Sequence, residues 1–203
     1  MLVIDFICQK VHDFFQAIED RDTDYIFRLS CQKDLTAREK EKAESILERH
    51  PGYLHCTNLF RYSAMFIATE CGNKDMVGII LSVDPSHATD NIIGDGITPG
   101  HISVINNHTD ITQILVDANP DVITAQDFPG LDTMGHLAVL KNRSKHVQII
   151  IQANPAAASM RNSHDDTMES LAIANGNDEI VRLIKTARII RAVKANTPKL
   201  TFG

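Results

Sequence analysis

Residues 98–120 read TPGHISVINNHTDITQILVDANP, and the fold follows from how this stretch is parsed. Thr98 is a good N-cap, and Pro99 suits the first helical position, where its missing N–H would be unpaired anyway. A short helix is predicted through His101, Ile102 and Ile105, with a turn at Asn106-Asn107-His108. Thr109 or Asp110 caps a second helix whose Ile111, Ile114 and Leu115 fall on one face. Asn119-Pro120 stops it, because the residue before proline avoids the helical region.

Outward from this stretch, the same grammar recurs three times: SAMFIATECGNKDMVGIILSVDP from Ser63, TMGHLAVLKNRSKHVQIIIQANP from Thr133, and TMESLAIANGNDEIVRLIKTA from Thr167. Pro51, Pro85, Pro120 and Pro155 lie 34, 35 and 35 residues apart. Gly72, Asn107, Asn142 and Gly176 share one turn position, which predicts a positive φ there. Polar stretches such as DNIIGDGI and DFPGLD between units read as protruding turns or β-hairpin loops. A fixed period of this length is the mark of a stacked array.

Helix–turn–helix with a protruding hairpin, a T-P-L-H-x-A opening and a G-x-x-x-I-V-x-x-L-L second helix resembles the ankyrin repeat. Thr98-Pro99-Gly100-His101 keeps three of the four opening residues, and Thr133-Met134-Gly135-His136-Leu137-Ala138 keeps Thr, His and Ala. Gly72 to Val77 and Gly176 to Val181 keep the turn and the entry to the second helix. The family's Leu is Gly at 100 and 135, Ser63 and Thr167 lack the following Pro, and the period exceeds the family's by one or two residues. The resemblance covers 51–188. It implies an all-α, ankyrin-type repeat solenoid of four units, with 1–50 as a helical N-terminal cap or degenerate first repeat and 189–203 as a basic helix end and tail. Terminal units cover an open core face, so their sequences are expected to be atypical.

The same resemblance implies a protein–protein interaction scaffold and a set of contact residues. Carried over position by position, the concave face takes Glu70, Cys71, Ile105, Asn106, Lys141 and Asn175. The hairpin tips take Phe60, Arg61, Ile92, Ile93, Asp95, Phe128, Leu131, Arg161 and His164. Loop-borne apolar residues are natural interface anchors. His101 and His136 stand where the family's histidine tethers neighbouring units through backbone hydrogen bonds.

Composition limits the alternatives. Among 203 residues, 43% are apolar and 23% charged, which fits a folded soluble chain. The net charge of −6 argues against nucleic acid as the partner. From Met168 onward six cations face three acids, so the acidic body ends in a basic stretch, VRLIKTARIIRAVKAN. That stretch reads as a capping helix, with contact to an acidic partner or anionic membrane as the alternative. Cys8, Cys31, Cys56 and Cys71 show no metal spacing and read as half-buried thiols. MLVIDFICQKVHDFF lacks the basic start and cleavage site of a signal peptide, so a cytoplasmic protein is expected; a monomer is the separate expectation for its oligomeric state. No phosphate loop, nucleophile elbow or zinc motif occurs, so no catalytic residue, metal or cofactor is expected.

Three other readings stand beside the interaction module. The chain is a regulatory part of a larger polypeptide; or, in style, it is similar to ankyrin-repeat effectors that intracellular bacteria deliver into host cytosol; or it is a divergent enzyme using His136, His164 and Asp165 or Asp166. The last requires those side chains to converge.

Overall fold

A computed structural model describes residues 21–58, 61–91 and 95–196. The described residues are all-α, without a β-strand. The helices are α1 (Arg21–Ser30), α2 (Ala37–Arg49), α3 (Ala64–Cys71), α4 (Lys74–Val83), α5 (Pro99–Ile105), α6 (Thr109–Ala118), α7 (Met134–Leu140), α8 (Ser144–Ala153), α9 (Met168–Ala174) and α10 (Asp178–Asn196). They pair as antiparallel hairpins. The odd-numbered helices pack in chain order as one layer and the even-numbered helices as a second, with the core between them.

Local chemistry sets each boundary. Ser63, Thr98, Thr133 and Thr167 are the extended N-caps of α3, α5, α7 and α9. Thr36 and Glu39 form a capping box at the start of α2, whose charged residues Arg38, Glu41, Lys42 and Glu48 face solvent. The entry to α6 differs from the sequence expectation: His108 is the N-cap and Thr109 is already helical. Each period-marking proline starts a short 3₁₀ turn. In three of the four the preceding Asp84, Asn119 or Asn154 accepts a hydrogen bond from the first free N–H.

The turn position shared by the four units is left-handed in all of them. The φ values are 74° at Gly72, 62° at Asn107, 54° at Asn142 and 64° at Gly176. Asn holds this conformation at lower cost than residues lacking a short polar side chain. Replacing exposed Asn107 by Ala is therefore expected to cost about 1 kcal/mol and Asn107→Gly to cost less, read from urea midpoints.

The two glycines that depart from the family opening have a steric cause. A Cβ on Gly135 would lie 2.7 Å from the Met168 sulfur. One on Gly100 would lie 3.1 Å from the Met134 sulfur and 2.6 Å from a Val122 methyl. Met134 and Met168 are fully buried, each at the first position of the following unit's opening helix. Room given up by one unit is filled by the next. Where the earlier unit carries buried Met65, the next opens with Pro99 instead.

Candidate interaction surface

The loops before α3, α7 and α9 are hydrogen-bonded turns. Asn58 N–H donates to the Tyr62 carbonyl (3.0 Å), Asp127 N–H to Asp132 (2.9 Å) and Asn162 N–H to Asp166 (3.0 Å). Each turn has one left-handed residue: Arg61, Leu131 and Asp165, with Gly96 at the matching place in the remaining loop. Side-chain acceptors brace them: Asn58 Oδ1 takes the Tyr62 N–H and Asp127 Oδ1 the Asp132 N–H. The turns also hold one another. Phe128 N–H donates to the Asp95 carbonyl at 2.6 Å, Ser163 N–H to Gly130 at 2.9 Å, and Asn162 Nδ2 to Asp132 Oδ1 at 2.8 Å. From Asp95 to Asp166 the tips thus form a braced edge.

On this edge Phe128 is 70% exposed and Leu131 40%. Arg61, Asp95, Arg161 and His164 are exposed as well. Arg161 pairs with Asp165 at 2.9 Å, within its own turn. Phe60, Ile92 and Ile93 lie outside the described residues. At the ends of the odd-numbered helices, Ile105, Lys141 and Asn175 are exposed, and Glu70, Cys71 and Asn106 half-buried. Glu70 and Asn106 form a couple: Asn106 Nδ2 donates to the Glu70 carboxylate at 2.8 Å, and His108 Nε2 lies 3.3 Å from the Glu70 carbonyl. This fixes the rims of two units to each other, a contact that sequence reading did not identify. Exposed Leu140 beside Lys141 was also missed. It stands where the preceding unit has Ile105 and could have been found from that register.

Two of the buried histidines, His101 and His136, bond to backbone on both ring nitrogens. His101 Nδ1 accepts from Thr98 N–H (3.1 Å), so Nε2 carries the proton and donates to the Asp132 carbonyl at 3.0 Å. His136 repeats this with Thr133 N–H (3.1 Å) and the carbonyls of Met160 and Asp166 (both 3.1 Å). Burial holds the His101 imidazole below its ordinary pKa. The side chains of the divergent-enzyme reading find separate partners: Asp165 meets Arg161, Asp166 accepts from Ser170 Oγ (3.0 Å), and His164 Nδ1 lies 3.4 Å from Ser163 Oγ. Among the described residues, no three His, Cys, Asp or Glu side chains are grouped to hold a metal. Cys31, Cys56 and Cys71 are half-buried.

One layer of the core is polar. Thr112 Oγ1 lies 2.8 Å from both Ser103 Oγ and His146 Nδ1, and His146 Nε2 lies 3.4 Å from Thr109 Oγ1. The positions equivalent to His146 hold Met76, Ile111 and Ile180, all buried. Burial, with Arg143 and His108 nearby, pushes the His146 imidazole from 6.5 down to about 4. Because the folded pKa is the lower one, the unfolded chain binds the proton more readily. The stability owed to neutral His146 is complete above 6.5 and is lost as pH falls from there toward 4. His87 acts in the opposite sense. Its bond to the Asp90 carboxylate raises its pKa, so its contribution is present in acid and lost as pH rises. His146→Ile, which copies the equivalent residues, is expected to lose less stability than the parent when urea midpoints at neutral and mildly acidic pH are compared.

Compared with known proteins, the chain matches no family model and no curated protein.

Proposed function

We propose that this chain is an ankyrin-type repeat solenoid that binds a partner protein without catalysis, using the braced hairpin edge and the neighbouring ends of the odd-numbered helices. The observation that carries this reading is Phe128. It is a large apolar side chain 70% exposed to solvent, on a turn hydrogen-bonded to the turns on either side. An aromatic residue held out on a pre-ordered support loses little freedom on binding, which is the condition for an interface anchor. The family resemblance is supported by the shared N-caps, the left-handed turn residues and the paired roles of His101 and His136. The structural use of both His136 nitrogens supports a binding role over an enzymatic one.

The test is site-specific photocrosslinking in cells. A benzophenone amino acid replaces Phe128 in one variant and Gln113, exposed on α6, in another. A discrete protein adduct is expected from position 128 and none from 113. Absence of adducts from 128, or the same adducts from both positions, would overturn the reading.

A further inference from the structure

Helix α10 has 19 residues, whereas its counterparts α4, α6 and α8 have 10 each. Its second half runs past the length that those counterparts reach. Ile189, Ile190 and Val193 on this overhang are 65%, 50% and 62% exposed. Between α8 and α10 lies a groove of about 680 Å³. Its floor includes Ile151, Leu183 and Ile190, and its rim Arg182, Arg191 and the single acid Glu179. Arg188 is engaged with Glu169, whereas among the described residues neither Arg182 nor Arg191 is paired with a carboxylate.

We propose that this groove takes an amphipathic helix of a partner protein, its apolar stripe on the floor and acidic residues along its flank. Charge selects this occupant. A second copy bound through the same face would set Arg182, Lys185 and Arg191 against their own counterparts. Residues 197–203 carry Lys199 and no acid, so this segment does not complement the rim. A bilayer surface is flat and does not reach Ile151, which is 3% exposed at the bottom between two helices. A helix does fit. Leu183 and Ile190 are seven residues apart, about 10.5 Å along α10, which matches apolar residues two turns apart on a guest laid beside it. This site is separate from the hairpin edge and does not depend on the function proposed for it.

The probes are two synthetic helical peptides of about 18 residues, long enough to be helical in part before binding. Both carry Leu at i, i+3/i+4 and i+7; one has Glu on its flanks, the other Lys. Affinity is read by fluorescence anisotropy, and the site by methyl NMR of Ile151 and Ile190. The Glu peptide is expected to bind the full chain at least tenfold tighter than the Lys peptide, to shift both methyl signals, and to weaken with salt. Arg182→Glu/Arg191→Glu, both on the exposed rim, is expected to invert the preference. Equal binding of the two peptides, shifts confined to other isoleucines, or no binding at millimolar peptide would overturn the proposal. So would binding only to phosphatidylserine vesicles, which would assign the helix to a membrane surface.

Discussion

His136→Ala is expected to cost about 3–5 kcal/mol of folding free energy. Three losses add. The ring is fully buried, so its removal leaves a cavity. The Thr133 N–H loses the acceptor that closes the start of α7, worth about 1 kcal/mol as a cap. The carbonyls of Met160 and Asp166, in the loop that leads into α9, lose their shared donor. His136→Gln separates these terms. Gln at this helix position still closes a capping box but is too short to bond the next unit. It is expected to recover about 1 kcal/mol, the cap alone. Urea unfolding followed by circular dichroism measures all three proteins. A loss below about 1 kcal/mol for His136→Ala would mean that the inter-unit bonds carry no weight.

The second large effect is expected where Gly135 meets Met168. Met168→Ala removes a fully buried side chain and is expected to cost about 3 kcal/mol. Gly135→Leu gains about 0.8 kcal/mol of helix propensity but drives a side chain into the space the Met168 sulfur occupies. The overpacking outweighs the gain, for a net loss of about 1–2 kcal/mol. Combined, the two changes exchange large for small across the same contact. The double variant is expected to lose about 1 kcal/mol, well under the sum of the singles, and a double-mutant cycle measures that coupling. Additive losses would show that the two positions do not share one space.

Much of this fold was legible in the sequence because its boundaries are set by chemistry within a few residues. Thr98, Thr133 and Thr167 announce helix starts, Gly72 and Asn107 the turns, and Asn119-Pro120 a helix end. What escaped was pairwise and distant. The Gly135–Met168 and Asn106–Glu70 contacts join residues more than 30 positions apart, which only stacking brings together. Of the candidate contact residues, Phe128 and Leu131 are displayed on tips, whereas Glu70 and Asn106 spend polar groups on each other. The basic C-terminal stretch read as a capping helix from its spacing. Spacing marks an apolar stripe but not whether a neighbour covers it, and Ile189 and Val193 stay in solvent.

The polar layer around Thr112 and His146 makes the order of the units irreversible. Excising residues 98–132, one whole period, would leave a chain with every cap and turn in place. It would nevertheless seat His146 against Val77, which offers no hydroxyl, and Met134 against Met65, where the present neighbour is Gly100. Excising 133–166 instead would turn Thr112 toward Ile180 and strand its hydroxyl network. Units that look alike in sequence are therefore not interchangeable parts. These two joints are matched to their present neighbours, so adding or removing one unit beside them would require the joint to be rewritten at the same time.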